Sequence, residues 1–422
     1  MTLFRRHFEL LRSAPPFRAL FLAAAASGIG TYLAVVALIV DVYDRTESGA
    51  WVAALLIAEF LPVLVIGLLL GPLVDRLPRR ALMIGSDVLR AAVFAALPFA
   101  PSAAAIVALA AVAGFATGFF RPAVYAGLPN LVADRDLPRA NGLMQAVDNL
   151  TWLVGLLAGG AILAAAGPDP NYVVNAASFV VSALLLLGIP ARRLQAGAAS
   201  GEGHFRDLAV GFRTVRTSRA LMTVLVTWSI VMVGIGQINV SGVVLVKEEL
   251  GGGDFEFGAI MASSGFGLLL GALLGGSWVE RRRMAEAYGS SIALMAIGAG
   301  LAAVSPSLYL AGACVIVFGF GNGVASVCNP VLVQRGARDA VRGRAFTVIM
   351  SVTSTVLGLA MAAAGPLTDA VGARWVWAIT SGVFAVAAGV GLVMARPIRA
   401  PDRIDVAPAT VLARGTAQSP PP

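Results

Sequence analysis

Gly71-Pro72-Leu73-Val74-Asp75-Arg76 interrupts two long apolar runs, and its pattern of a glycine followed by an acid and an arginine is written again as Gly276-Ser277-Trp278-Val279-Glu280-Arg281. The offset is 205 residues. The same offset carries Gly114-Phe115-x-x-Gly118 to Gly319-Phe320-x-x-Gly323, and Gly160 and Gly167 to Gly365 and Gly372, followed five residues later by Tyr172 and Trp377. At offset 206, Gly28-Ile29-Gly30 returns as Gly234-Ile235-Gly236. In a chain with 47 glycines one such match is chance, whereas four in order at nearly one register mark an internal duplication.

Hydrophobic residues make up 58% of the chain and charged residues 13%, against roughly 25% charged in a soluble domain. Only a membrane suits that balance. Apolar runs of about 20 residues, the length that crosses ~30 Å of hydrocarbon, fall at 17–40, 50–74, 81–100, 103–126, 142–166, 171–190, 219–246, 256–279, 286–305, 307–333, 345–369 and 373–395. Lipid offers no partner to open backbone groups, so each run must be a helix. The expected fold is an all-α membrane protein of twelve transmembrane helices in two pseudo-symmetric six-helix halves. The halves are residues 1–190 and 219–395, joined by a polar cytoplasmic linker at 191–218, and the Pro-, Ala- and Arg-rich stretch 396–422 reads as a disordered cytoplasmic tail.

A formal charge of +8 would suggest nucleic acid in a soluble protein, but the arginines are sorted by segment. If the N-terminus is cytoplasmic, nearly all of them fall on that side, from Arg5 and Arg6 through Arg76, Arg79, Arg80, Arg121 and Arg135 to Arg342 and Arg344. The other side carries only Arg45, Lys247 and Arg374. By the positive-inside rule both termini are then cytoplasmic, in a bacterial inner membrane. Cys314 and Cys328 lie on one predicted helix roughly 21 Å apart, too far to bridge. No cofactor or metal is expected, and no nucleic acid; the partners are a small-molecule substrate, coupling protons and the bilayer, around a monomer.

Together these features resemble the major facilitator superfamily. Gly71–Arg80 is similar to its loop between helices 2 and 3, with Pro78 where a glycine is usual. The segments Val42–Ser48, Phe119–Ala123, Leu128–Val132, Ala140–Leu143 and Val246–Gly252 are similar to an exporter branch that includes enterobactin and macrolide efflux proteins. Two departures bear on proton antiport. Gly155–Gly160 lacks the proline usual before the final glycines of helix 5, and Ala111 stands near the place of an arginine common in helix 4. The resemblance implies alternating access, efflux of a lipophilic or amphipathic solute and a central cavity lined by helices 1, 4, 7 and 10. Uptake or uniport is the nearer rival reading. A membrane-embedded enzyme is the further one, without a catalytic motif to carry it.

Ionisable residues at membrane depth are costly and therefore candidates for function. Glu59, mid-helix before Pro62, reads either as a reversibly protonated group or as a carboxylate turned to the outer water or held by a neighbouring polar group. Asp148 shares a stripe with Asn141, Gln145, Trp152, Gly155 and Gly159, which reads either as cavity lining with a second proton site or as a hydrogen-bonding seam. Asp87 and Arg90, three apart, pair within helix 3. With Gly71, Asp75, Arg76, Arg79, Arg80, Glu280 and Arg281, the resemblance implies a cytoplasmic gating cluster. Candidate cavity residues are Ser27, Thr31, Phe115, Thr117, Phe119, Gln145, Trp152, Gln237, Asn322, Ser326 and Asn329, Thr31 and Gln237 being repeat mates. Few of these are charged, which favours a neutral solute. The glycine rows Gly155, Gly159 and Gly267, Gly271, Gly275 permit close helix approach, either as a sliding surface between the halves or as packing.

Overall fold

The computed structural model describes residues 9–69, 77–195, 204–280, 284–337 and 339–396. Twelve helices in it are long and apolar enough to cross a membrane. They are α1 (Pro15–Thr46), α2 (Gly49–Leu69), α3 (Arg79–Ala96), α4 (Ala103–Gly127), α5 (Leu137–Ala166) and α6 (Pro168–Leu187), then α7 (Arg219–Val244), α8 (Asp254–Glu280), α9 (Met284–Ala303), α10 (Leu308–Gly336), α11 (Asp339–Val371) and α12 (Ala373–Ala395). Several outrun the predicted spans. The apolar run of α1 ends at residue 40, yet the helix continues because Asp41 and Arg45, one turn apart, pair at 2.6 Å, and Tyr172 of α6 donates to Asp41 at 2.9 Å. Left-handed Glu47, φ +46°, then turns the chain directly into α2.

Helix packing repeats from one half to the other. In the first half α1 packs on α5 and α6, α2 on α4, and α3 on α4 and α6; in the second α7 packs on α11 and α12, α8 on α10, and α9 on α10 and α12. The repeated glycines are the reason. A Cβ on Gly114 would strike the backbone of Glu59 in α2, and one on Gly319 would strike Ser264, the residue 205 further on, in α8. Gly167 and Gly372 both take positive φ, 75° and 82°, at the turns into α6 and α12. Arg45 binds the Ala100 carbonyl at 3.2 Å, and Arg374 binds that of its mate Ser305 at 2.8 Å.

One register changes. Gly28 and Gly234, paired at offset 206, face different neighbours, Thr151 of α5 and Phe384 of α12. Gly30 faces Ser178 of α6, so it is Gly30 that matches Gly234. Thr31 and Gln237 are therefore not structural mates.

The halves meet along α5–α8 and α2–α11. A Cβ on Gly160 would lie 3.0 Å from the Gly258 Cα, and one on its mate Gly365 2.6 Å from the Ala50 Cα. Gly155 and Gly159 instead pack on Ile29, Tyr32 and Leu33 of α1, while Gly267, Gly271 and Gly275 pack on α10. The two glycine rows thus serve close packing inside each half and do not face one another across the interface. The linker contains a helix, His204–Thr217, lying on α11. The expected tail from residue 397 lies outside the described residues.

Candidate functional site

With twelve spans, α1 begins and α12 ends at the same side, here called the terminal end; α1 and α7 finish, and α2 and α8 begin, at the far end. At the far end the halves are clasped. Asp369 of α11 accepts from the first backbone amides of α2, Gly49 at 2.6 Å and Ala50 at 3.1 Å, and from the Ser48 hydroxyl at 2.9 Å. A carboxylate from one half thereby caps a helix of the other, where the helix dipole favours negative charge. Beyond Val244 the chain takes a wider turn, Leu245–Glu249, closed by the Leu250 amide on the Leu245 carbonyl at 3.1 Å. From it Lys247 reaches Asp44 of α1 at 2.5 Å and Asp254 of α8 at 2.8 Å, and Tyr43 donates to Glu248.

On the terminal side of mid-membrane, α1, α3, α4 and α5 enclose a cavity of about 120 Å³. Ser27, Thr31 and Thr117 line it, their hydroxyls turned back to carbonyls of the preceding turn, beside Tyr32, Tyr125, Arg90, Arg121 and Asp148. Arg121 stands 3.6 Å from Asp148, and the Tyr125 hydroxyl donates to the same carboxylate at 3.3 Å. Arg90 is buried against the ring faces of Phe120 and Phe179, 4.4 and 4.2 Å from their centroids, and pairs with Asp87 at 2.5 Å. Asp87 also accepts from Ser182 of α6 at 2.7 Å.

A second cavity of about 200 Å³ lies towards the far end between α7, α8, α10 and α12. Its wall is aromatic and apolar, from Trp152, Phe257, Phe318 and Trp377, with Asn239, Ser264 and Asn322 as uncharged polar groups. Trp152 comes from α5, one turn beyond Asp148, so a single helix serves both cavities.

The predicted site residues separate accordingly. Ser27, Thr31, Thr117 and Asp148 meet in the first cavity, Trp152 and Asn322 in the second. Gln237 accepts from Thr380 of α12 at 2.6 Å and Asn329 accepts from Tyr288 of α9 at 2.8 Å, so both serve seams within the second half. Gln145 is exposed, bonded to Asn149; Ser326 is exposed; Phe115 and Phe119 meet edge to face with centroids 5.1 Å apart and line neither cavity. Glu59 is half-buried on α2, and its carboxylate has no hydrogen bond among the described residues. Of the gating cluster, Gly71, Asp75, Arg76 and Arg281, with the side chain of Glu280, lie outside the described residues. Arg79 and Arg80 hold carbonyls of Ala126, Leu194, Leu186 and Leu187, while Asp87 and Arg90 form a buried pair.

Sequence reading missed Arg121, Tyr125 and Tyr32. Thr117, Arg121 and Tyr125 recur every four residues on one face of α4, and that spacing was the available signal. Asp41, buried and paired, was also passed over.

Two pseudo-symmetric bundles clasped at one end, with cavities along their helices, define a membrane transporter of the kind that works by relative motion of its halves. The chain belongs to the Major Facilitator Superfamily, which matches residues 20–361. It is similar to multidrug efflux pump Tap of Mycolicibacterium fortuitum, 29% identical over 85% of this chain and 90% of that protein. Enterobactin exporter EntS of Shigella boydii is 27% identical over 84% and 86%, and macrolide efflux protein A of Streptococcus pyogenes 21% over 91% and 96%. Among solved structures, a bacterial homologue of the iron transporter ferroportin in an inward-facing state shares the fold at TM-score 0.74, with 14% identity over 90% of this chain and 99% of that one. The nucleoside transporter NupG does so at 0.70, with 16% identity over the same shares. The protein is thus a multi-pass inner-membrane transporter, and the three relatives named above are efflux proteins.

Proposed function

We propose that the chain exports a small amphipathic molecule by alternating access and couples that export to protons through Asp148. The observation that carries this reading is the pairing of a far-end clasp with a charged cavity on the terminal side. By the positive-inside rule the terminal end, where the arginines gather, faces the cytoplasm. The conformation is then inward-facing, its charged cavity on the loading side. The names of the relatives support outward movement. Asp148 is the one carboxylate on the wall beside Arg121; a proton on it would weaken its hold on the guanidinium, so proton and substrate would compete for one site. Glu59, on the α2–α4 seam, is the other candidate for carrying protons.

The test is proton movement in inside-out vesicles acidified within, followed with a pH-sensitive dye while amphipathic drugs are added. Substrate should release lumenal protons, and Asp148→Asn should abolish that release while substrate still binds. If Asp148→Asn leaves the signal intact, the assignment to Asp148 is wrong, and if Glu59→Gln does so too, neither candidate carries the coupling. Substrate flux without proton movement would point to another ion or to uniport.

A further inference from the structure

The cavity between α1, α3, α4 and α5 carries charge of both signs on its wall. Two guanidiniums, Arg90 and Arg121, line it against one carboxylate, Asp148. Arg90 is already neutralised by Asp87, which is fully buried and also engaged by Ser182, so Arg121 and Asp148 are the charges left open to a ligand. Arg121 stands 3.6 Å from Asp148, a charge contact without a hydrogen bond, and also engages the Tyr125 side chain, so part of its five-donor fork is left available. Arg90 is 5% exposed, and its Nε has no hydrogen-bond partner. An arginine stays charged under any physiological condition and presents a planar fork that matches a carboxylate.

The volume is informative too. About 120 Å³ suits a head group, whereas whole drug-sized ligands take roughly 300–1,000 Å³. One helical turn along α5, roughly 6 Å from Asp148, Trp152 lines the aromatic cavity of about 200 Å³, on whose wall no charged side chain stands among the described residues. Head-group chemistry and apolar chemistry therefore stand end to end along one helix.

We infer that the transported molecule is an amphiphile bearing a carboxylate, its anion taken by Arg121 in the first cavity and its aromatic or apolar body by Trp152 and its neighbours in the second. This rests on the export reading but specifies the substrate, and it replaces the neutral solute that the sequence suggested. A neutral or cationic head would leave the Arg121 guanidinium with no anion but Asp148. The bound carboxylate competes with Asp148 for Arg121.

Binding to the purified full-length protein in nanodiscs, with no gradient applied, tests this apart from transport. The probes are dansylglycine, its neutral amide and the cationic dansyl-ethylenediamine, read by dansyl emission and by energy transfer from tryptophan. Dansylglycine should bind at least roughly tenfold tighter than the amide, the effect of one charge-assisted contact. Arg121→Gln should remove that preference, Arg121→Lys should retain part of it, and Asp148→Asn should tighten acid binding by freeing the guanidinium. Equal or tighter binding of the amide or the amine, no saturable binding of the acid, or an unchanged preference in Arg121→Gln would overturn the inference. So would loss of acid binding in Asp148→Asn, which would make the ion pair structural. Failure in vesicles with success in nanodiscs would refute the coupling reading alone.

Discussion

Asp87 and Arg90 are a turn apart on α3, buried, and joined at 2.5 Å. Removing one partner of such a pair strands a charge in a low-dielectric interior, at a cost of about 3–5 kcal/mol, whereas replacing both with apolar groups can be nearly neutral. Asp87→Ala should therefore lower the Tm of the detergent-solubilised protein by several degrees, and Asp87→Leu combined with Arg90→Met should recover much of it. A double variant as unstable as the single would show that Arg90 matters through its stacking on Phe120 and Phe179 instead. The spacing of three made this pair legible in the sequence. The partnership of Arg121 with Asp148 was not, because the two lie 27 positions apart on different helices and nothing local links them.

Contacts between elements are asymmetric across the two interface seams. On the α5–α8 seam Gly160 and Gly258 meet backbone to backbone, while the α2–α11 seam adds the Asp369 cap. Gly160→Val should wedge the halves apart at the far end and abolish transport in a protein still inserted and monodisperse by gel filtration. Gly142→Ala, with nothing within 4 Å of the added carbon, should behave as wild type. Loss of the cap removes about 0.5–2 kcal/mol of helix stabilisation from the clasped state only. Spin labels at Asp169 and Tyr309, both exposed at the far end on opposite halves, should show a growing long-distance population in Asp369→Ala. An unchanged distance distribution would mean that Lys247 and Glu248 hold the clasp without it. The glycine repeats were visible at once, but their partners emerged only from packing.

For the whole molecule the outstanding expectation is orientation. A green fluorescent protein fused to the C-terminus should fluoresce, and a cysteine at Tyr309 should react with an impermeant maleimide in intact cells. A dark fusion together with a protected Tyr309→Cys would invert the topology and turn the proposed loading side outward. Neither native cysteine should interfere, since Cys314 and Cys328 are both buried.

The number of spans, their division into halves and the sorting of arginines followed from sequence because each obeys a one-dimensional rule. Lipid demands about 20 apolar residues per crossing, duplication leaves a fixed offset, and translocation sorts positive charge between segments. Which face of each helix meets which neighbour does not obey such a rule. Lipid-facing and core-facing surfaces of a membrane helix are both apolar, so Gly155 and Gly159 carry no mark that turns them to α1 rather than α8, nor Gln237 one that turns it to Thr380 rather than a cavity. Only the three-dimensional packing decided those faces, and with them the meeting of Arg121, Asp148 and Tyr125 around one cavity.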